Sequence, residues 1–275
     1  MVVELYKYQA AGNDFIMIDG RVSKGRSSDY VNEQFICKVC NRRYGIGADG
    51  LIVLKDSDKY SFKMEYYNSD GTGGMMCGNG GRAIVAFAAD LGCKSFDFEA
   101  ADGYHDAQLL ENGDVRLKMK DVSEVMKYDE DSFRLDTGTK HFVRFVKKID
   151  TFPVVEQGRI IRYNEEFAPV GTNVNFVEPK DGLLWVRTYE KGVEDETYAC
   201  GTGIVASCIS AYLNDIVPSI VYDRERVGYE VRAVRDFLAV DFIPMKNSEE
   251  GLIVAKDVWL TGPARGIAKI DYFCY

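Results

Sequence analysis

Two cysteines of this chain stand in the same local sequence pattern, one that activates a thiol. Cys77 begins the sequence Cys-Gly-Asn-Gly and Cys200 begins Cys-Gly-Thr-Gly, and a run of small residues with helical spacing follows each. A cysteine just ahead of a helix lies beside unpaired backbone N–H groups and the positive end of the helix dipole. Both lower a thiol pKa from its reference value of about 8.5. One such cysteine is more often structural than catalytic, but its occurrence at two equivalent places favours catalysis.

The elements around the two cysteines repeat as well. In each half, a strand-like segment ending near Tyr67 or Tyr189 leads into a polar loop, the cysteine motif and a helix. We interpret this repetition as an internal duplication that gives two similar α+β lobes. The alternative is a coincidence of glycine-rich turns.

Facing thiols on two such lobes suit the inversion of an acidic carbon. A base removes a proton from one face while an acid returns a proton to the opposite face, and the roles exchange in the reverse direction. The α-proton of an amino acid is very weakly acidic, so the carbanion needs electrostatic stabilisation. Two helix N-termini directed at its carboxylate would supply preorganised donors, and closure of the lobes would exclude water.

Composition limits the class of protein. The chain has 275 residues, 46% of them hydrophobic, and 34 basic against 43 acidic residues give a net charge of −9. This is typical of a folded globular protein and argues against nucleic acid as a partner. No apolar run approaches the roughly 20 residues that cross a bilayer, so we expect no membrane partner. Seven thinly spread cysteines do not make a disulfide scaffold, so we expect reduced thiols and a cytoplasmic location.

Hydrophobic periodicity predicts the elements that position these residues. The predicted strands are Val2–Tyr8, Phe15–Asp19, Leu51–Lys55, Ser61–Tyr67, His141–Lys147 and Leu183–Tyr189, and a hairpin over Gln108–Lys120 turns at Asn112-Gly113. The predicted helices are Asp29–Asn41 behind a cap at 27–29, Arg82–Leu91, and Gly201–Leu213. The charged stretch beyond about residue 122 is typical of a domain boundary.

Two further motifs resemble a zinc site and a dinucleotide site, but their sequence context argues against both functions. Cys37 and Cys40 form a Cys-x-x-Cys pair near the end of a predicted helix, and neither His105 nor His141 has the spacing that would complete a zinc site. Residues 45–50 match Gly-x-Gly-x-x-Gly, but a predicted helix precedes them and a strand follows, the reverse of a dinucleotide site. We therefore expect no metal, no nucleotide and no pyridoxal phosphate.

Polar residues near the cysteine loops are candidates for substrate binding. Asn68 lies nine residues before Cys77, and Glu190 lies ten before Cys200, so they occupy comparable places in the repeat. The other candidates are Asn13, Asn173 and His141. An asparagine beside a glycine is at least as often turn chemistry as a ligand.

Taken together, these residues resemble the diaminopimelate epimerase family. The matching segments are Ala11–Phe15, Arg42–Gly50, Asn68 through Arg82, Tyr189 through Gly203, and Leu260–Ala264. They follow the family order over nearly the whole chain, and the paired cysteine motifs are specific to cofactor-independent racemases and epimerases. The Gly-Asn-Asp start, the Gly-Ala-Asp-Gly loop and the Tyr-Glu-Lys-Gly segment favour diaminopimelate over proline-type substrates.

The resemblance implies an α+β fold of two pseudo-symmetric lobes, each a β-sheet wrapped around a central helix. Residues 1–121 with 263–275 would form the first lobe and residues 122–262 the second. The implied reaction interconverts LL- and meso-diaminopimelate in lysine and peptidoglycan synthesis with no cofactor, and a homodimer stays open. Cys77 and Cys200 would be the acid and base. The implied substrate-binding residues are Asn13, Asn68, Gly78, Asn79, Asn173, Glu190, Lys191, Gly201 and Thr202, with His141 in a supporting role.

Three features depart from the family pattern. Lys191 stands where the family has an arginine that grips the distal carboxylate, and lysine lacks the bidentate fork of arginine. Thr139 replaces an asparagine in the segment that leads to His141. The loop over residues 192–197 is one residue longer than usual, which would shift Glu190.

Two other functions stay open at this point. A relative with the same fold could act on another amino acid such as proline. Alternatively, Cys77 and Cys200 could form a switchable disulfide in a redox or binding protein. An epimerase works only with reduced thiols, whereas a redox relay cycles, so the demand for reductant separates the two classes.

Overall fold

The structure, a computed structural model, describes residues 2–74, 76–222, 225–245 and 254–274. The chain divides into two compact units, Met1–Leu117 with Gly262–Tyr275, and Lys118–Thr261. We call them the first and the second unit. Each combines helices with β-sheet, so the predicted α+β class is confirmed.

The described strands and helices alternate along the chain. The strands are β1 Val2–Ala10, β2 Asn13–Asp19, β3 Gly50–Lys55, β4 Phe62–Asn68, β5 Phe98–Ala100, β6 Gly103–His105, β7 Ala107–Leu109, β8 Val115–Lys118, β9 Val125–Lys127, β10 Ser132–Asp136, β11 Lys140–Phe145, β12 Asn173–Lys180, β13 Leu183–Glu190, β14 Asp195–Thr197, β15 Ile220–Val221, β16 Val227–Arg232, β17 Phe237–Pro244, β18 Ala255–Gly262 and β19 Arg265–Phe273. The α-helices are α1 Glu33–Cys40, α2 Gly78–Asp90, α3 Val154–Arg162 and α4 Gly201–Leu213, and single 3₁₀ turns lie at Val22–Lys24, Ile149–Thr151 and Glu165–Phe167.

The first unit is built around α2. Its main sheet has the strand order β19-β1-β2-β3-β4-β5-β6, with parallel pairs at β2–β3 and β4–β5. Helix α2 contacts β1, β2, β3, β4 and β19, and residues 79–88 of this helix are all buried. A helix that is buried on every side belongs to a core, which explains its run of glycine, alanine and other small residues.

The second unit repeats this design around α4. Its strands follow the order β18-β17-β16-β13-β12-β11-β10-β9, with β14 paired to β13 and β15 to β16. Helix α4 contacts β10, β11, β12, β13, β16 and β17, and residues 203–211 are buried. The predicted arrangement of a sheet around a central helix is therefore confirmed in each unit.

Each unit carries a further helix packed on its own group of apolar side chains. Ile36 and Val39 of α1 pack with residues of β1, β2 and β3. Val154 and Ile161 of α3 pack in a cluster with Tyr189 of β13. Gly158 lets α3 approach β13 closely, because a Cβ at this position would collide with the Tyr189 side chain.

Two predicted helix starts are wrong, one because of capping and the other because of core packing. Helix α1 begins at Glu33 instead of Asp29, because the Asn32 side chain accepts from the Phe35 N–H at 2.9 Å and acts as the cap. Helix α2 begins at Gly78, four residues earlier than predicted, since packing in the core overrides the low helix propensity of its glycines. The predicted hairpin is confirmed, with Leu109 opposite Val115.

Among the residues that the structure describes, no helix is long and apolar enough to cross a membrane.

Candidate active site

Cys77 caps the central helix of the first unit. Its backbone is extended, the helix begins at the next residue, and Sγ accepts from the Gly80 N–H at 3.5 Å. The N–H groups of a first helical turn have no carbonyl partner within the helix, so the sulfur takes the place of a capping oxygen. It therefore lies at the positive end of the α2 dipole, where negative charge on sulfur is stabilised.

Cys200 holds the equivalent position in the second unit. Its backbone is extended, α4 begins at Gly201, and the residue is 8% exposed. Its Sγ lies 3.4 Å from Thr202 Oγ1, within reach of a weak hydrogen bond. Each unit thus carries a cysteine at the N-terminus of its buried central helix.

A chain of hydrogen bonds crosses the first unit beside α2. Arg82 Nη2 donates to Asn79 Oδ1 at 2.7 Å, and Asn79 Nδ2 donates to Asn13 Oδ1 at 2.5 Å. Asn13 Nδ2 in turn donates to Asp49 Oδ2 at 2.9 Å. Because a guanidinium only donates and a carboxylate only accepts, the two ends of the chain fix the orientation of both amides. Two residues predicted to bind substrate, Asn13 and Asn79, are thereby held in contact.

Charged residues anchor the far end of this chain. Arg42 donates to both oxygens of Asp14, at 2.9 and 2.7 Å, and to Asp49 Oδ1 at 2.6 Å. Lys7 Nζ donates to Asp14 Oδ2 at 2.7 Å. Burial alone would raise the pKa of Asp14, but the hydrogen bonds from Arg42 and Lys7 outweigh it and lower that pKa to about 2. The hydrogen bond from Arg42 fixes Asp49 in place. Asp49 in turn holds the Asn13 amide, from which it accepts a hydrogen bond.

Asn68 ends strand β4, and its amide is engaged at both ends. Tyr66 donates its hydroxyl to Asn68 Oδ1 at 2.9 Å, and Asn68 Nδ2 donates to Thr72 Oγ1 at 2.9 Å. The backbone supports this arrangement, because the Asn68 N–H donates to the Thr72 carbonyl at 2.8 Å. The amide is thus oriented by the loop that leads towards Cys77.

His141 is the centre of the polar cluster in the second unit. Its Nε2 lies 2.9 Å from both Thr139 Oγ1 and Thr202 Oγ1, and its Nδ1 lies 3.0 Å from Asn175 Nδ2. The residue is 2% exposed. Burial, with a further contribution from the positive charge of Lys191, lowers the pKa of His141 to about 3, so the ring is neutral at pH 7. One hydroxyl, that of Thr202, connects this neutral ring with Cys200.

Asn173 and Lys191 meet at the edge of the same cluster. Asn173 is buried opposite His141 in the parallel pair β11–β12, and its Oδ1 accepts from the Lys191 N–H at 2.9 Å. The contact uses the backbone of Lys191 and leaves the ammonium group for another partner. Its charge nevertheless acts on His141, as the lowered pKa shows.

Glu190 ends strand β13 and lies in a hairpin with β14. Asp195–Thr197 forms strand β14 and pairs with Thr188–Glu190 of β13. Glu190 Oε2 accepts from Thr197 Oγ1 at 2.9 Å. The hairpin therefore fixes the position of the Glu190 carboxylate.

Within each unit the structure places predicted residues beside the local cysteine. Asn13, Gly78 and Asn79 lie at the N-terminal end of α2, and His141, Asn173, Gly201 and Thr202 lie at that of α4. Sequence reasoning missed the roles of Arg42 and Asp49, and it missed Asn175. The signal for Asn175 was present, because Asn173 and Asn175 are two apart in an apolar strand and so share one face.

Two cavities of the second unit differ in their relation to this cluster. One, of about 270 Å³, is lined by His141 together with Arg134, Asp136 and Lys140. A larger one, of about 450 Å³, is lined by residues that include Trp185 and contains none of the predicted site residues. His141, although buried, thus lies at the wall of the smaller cavity next to two basic residues.

A solved structure shares this fold at low sequence identity. A phenazine biosynthesis protein of the PhzF family from Bacillus anthracis superimposes over 100% of both chains with a TM-score of 0.73, at 14% identity. At that identity the likeness defines the fold class, two α+β units each built around a central helix, and nothing about substrate.

Sequence comparison identifies the family, which the likeness in fold does not. The profile of the family "Diaminopimelate epimerase" matches residues 5–125 and 133–224. A diaminopimelate epimerase of Flavobacterium psychrophilum is 47% identical over 76% of this chain and 81% of its own length. One of Aquifex aeolicus is 39% identical over 94% of both chains. The chain belongs to the diaminopimelate epimerase family and is an isomerase.

Proposed function

We propose that this protein interconverts LL- and meso-diaminopimelate in lysine and peptidoglycan synthesis, using two cysteines and no cofactor. The proposal rests most on the equivalent cysteines, each at the N-terminus of a buried central helix. Relatives named diaminopimelate epimerase support the substrate. A cytoplasmic location and a homodimer stay predictions.

The reaction exchanges one proton for another at the α-carbon. One cysteine, as a thiolate, takes the α-proton and becomes a thiol, and the electron pair of the broken C–H bond passes to the α-carbon and its carboxylate. The other cysteine, as a thiol, forms the new C–H bond on the opposite face and becomes a thiolate. The reverse direction exchanges these roles, so charge balances in both.

The helix N-termini supply what the carbanion needs. The first N–H groups of α2 and α4, at Gly78, Asn79, Gly201 and Thr202, have no carbonyl partner within their helices and are suited to a carboxylate. Negative charge that develops on the reacting carboxylate is stabilised by these fixed dipoles without any reorganisation. Both amide ends of Asn79 are engaged, so we assign its contact with substrate to the backbone.

The remaining residues would bind the two ends of the substrate. The side chains of Asn13, Asn68, Asn173 and Glu190 are held in fixed orientations. The amides would accept hydrogen bonds from an ammonium group or donate to a carboxylate, whereas the Glu190 carboxylate would only accept from an ammonium group. Lys191 would attract the distal carboxylate as a point charge in place of an arginine fork. Thr139 donates to or accepts from His141 and so takes up a polar position where the family has asparagine.

Proton NMR in D₂O tests the proposal directly. Protein and LL-diaminopimelate are mixed with reductant and without pyridoxal phosphate, and the α-proton signal and the isomer composition are followed over time. Loss of the α-proton with appearance of the meso isomer is the expected result.

Two other outcomes would contradict the proposed substrate or the proposed reaction. Exchange with proline but not with diaminopimelate would overturn the substrate while keeping the reaction. No exchange with any amino acid in the fully reduced protein would overturn the epimerase itself and favour a thiol switch.

A further inference from the structure

The proposed reaction assigns no role to the buried amide of Asn175 in the second-unit cluster. Asn175 lies in the middle of β12, is 0% exposed, and points its Nδ2 at His141 Nδ1 at 3.0 Å. Its position behind the imidazole ring makes it a candidate for control of the ring.

Two neighbours fix which way the Asn175 amide points. Nδ2 also donates to the Phe142 carbonyl at 3.2 Å, and Oδ1 accepts from the Thr188 hydroxyl at 3.0 Å. A rotated amide would place its oxygen against the Phe142 carbonyl, with two acceptors in contact in a buried site. The nitrogen of Asn175, a donor, therefore faces His141.

A donor at Nδ1 determines the tautomer of a neutral imidazole. A neutral ring has one nitrogen that accepts and one that donates. Because His141 Nδ1 accepts from Asn175, its proton lies on Nε2, which donates to the hydroxyl oxygens of Thr139 and Thr202. Because burial keeps the ring neutral at pH 7, the ring stays in this single tautomer and does not become an imidazolium.

The tautomer in turn sets the direction of the next hydrogen bond. When Nε2–H donates to Thr202 Oγ1, the ring does not accept the hydroxyl hydrogen of Thr202, which has Cys200 Sγ at 3.4 Å and Thr139 Oγ1 at 3.2 Å as acceptors; a Thr139 hydroxyl that donates to Thr202 leaves it to Cys200. In the opposite tautomer Nε2 would accept, and it would draw that hydrogen away from the sulfur. A hydrogen bond donated to sulfur favours the thiolate.

We infer that Asn175 is a positioning residue that holds His141 as the Nε2–H tautomer and so leaves the Thr202 hydroxyl to donate to Cys200. The inference rests on the proposed function, since it concerns the thiolate form of a proposed catalytic cysteine. The second glycine of the Cys-Gly-Thr-Gly motif supports it independently. A Cβ at Gly203 would collide with Asn175 Oδ1, so the helix leaves space for this amide.

Nitrogen NMR tests the tautomer without any assay of activity. The chain has two histidines, so ¹⁵N-histidine labelling gives two imidazole rings, with His105 as an internal reference. In the wild-type protein at pH 7 we expect His141 to show a proton-bearing Nε2 and an unprotonated Nδ1. A proton on Nδ1, a mixture of tautomers or an imidazolium would overturn the inference even if the enzyme is fully active.

Asn175→Asp and Thr188→Val form a matched pair of variants. An aspartate accepts from Nδ1–H, so we expect the tautomer to reverse or the ring to become protonated, with kcat falling about tenfold or more and KM changing much less. Thr188→Val removes one buried hydrogen bond of Asn175 but leaves its donor facing His141. It should lower stability and leave the tautomer and kcat near wild type.

Different results would contradict the positioning role of Asn175 and the proposed epimerase function. If Asn175→Asp does not fold, the wild-type tautomer still decides the inference. If Asn175→Asp folds with the wild-type tautomer, or keeps wild-type kcat with a reversed one, the positioning role is wrong. If the wild-type protein does not epimerise diaminopimelate, the proposed function fails while the tautomer measurement stands.

Discussion

Asn79 at the start of the central helix donates its amide to Asn13 Oδ1 at 2.5 Å, across 66 residues of sequence. Arg82 and Asp49 hold the two ends of this pair, so each amide has one allowed orientation. The result is a rigid polar edge beside Cys77. A substrate that binds there meets donors and acceptors already in place, which lowers the cost of ordering the site.

The contact predicts energetic coupling between Asn13 and Asn79. Each alanine variant should lower kcat/KM about tenfold or more, whereas the double variant should lose little beyond either single one, since both changes release the same pair. A double-mutant cycle on kcat/KM measures this coupling, with the exposed Asn164→Ala as control. Strictly additive losses would show that the two amides act independently.

Both site cysteines should be essential for inversion, and other cysteines should not. Cys77→Ala and Cys200→Ala should abolish turnover with little effect on folding. Cys→Ser at either position should lose most of it, because a hydroxyl is a far weaker acid than a thiol. Cys37→Ala, at an exposed position, is the matched control and should keep wild-type turnover. Near-normal turnover in either site variant would contradict the two-base mechanism.

Lys191 should act on substrate binding more than on the proton transfer. Lys191→Gln removes the charge assigned to the distal carboxylate, so KM for diaminopimelate should rise about tenfold with a smaller change in kcat. Lys191→Arg should keep KM near wild type or lower it, because arginine restores the bidentate fork. An equal rise in KM in both variants would mean that the lysine ammonium has a role that its charge alone does not explain.

The second glycines of the two motifs should differ in their tolerance of alanine. A Cβ at Gly203 would collide with the amide oxygen of Asn175, whereas one at Gly80 would meet the side-chain tips of Ile52 and Met64 at 3.1 and 3.2 Å, which can move. Alanine has a higher helix propensity than glycine and offsets this small displacement, so Gly80→Ala should be near neutral. Gly203→Ala should lower the urea midpoint clearly. Equal effects would contradict the close packing at Asn175.

Acid should destabilise the protein partly through His141. Its pKa is about 3 when folded and about 6.5 when unfolded, so below pH 6.5 the unfolded chain binds a proton that the folded chain does not. The free energy of unfolding should therefore fall by up to about 1.4 kcal/mol per pH unit from pH 6.5 towards pH 3 on this account. Urea unfolding at pH 7 and pH 5 should show a loss that is about 2 kcal/mol smaller in His141→Gln than in wild type.

The control for this measurement is His105→Gln, which leaves His141 in place and should keep the wild-type loss on acidification. If His141→Gln and wild type lose the same stability between pH 7 and pH 5, the buried ring is not neutral in the folded protein.

Local sequence patterns were enough for the central elements. Residues 201–213 were predicted as a helix with their observed bounds, because a long apolar run of small residues has few other structures available. The position of a cysteine just ahead of each central helix could also be predicted, since the Cys-Gly-x-Gly motif and the helix are contiguous in sequence. The starts of α1 and α2 were not, because the first depended on Asn32 as a cap and the second on core packing.

The amino-acid sequence by itself determined the fold class, the duplication and the residue types available for chemistry, since these are written in contiguous motifs and in periodicity. Only the tertiary structure decided which polar groups meet. The chain Arg82–Asn79–Asn13–Asp49 and the cluster of Asn175, His141 and Thr202 each join residues from several separate elements. Such partners are selected by strand register and by the need to satisfy every buried polar group, and neither is visible in a single stretch of sequence.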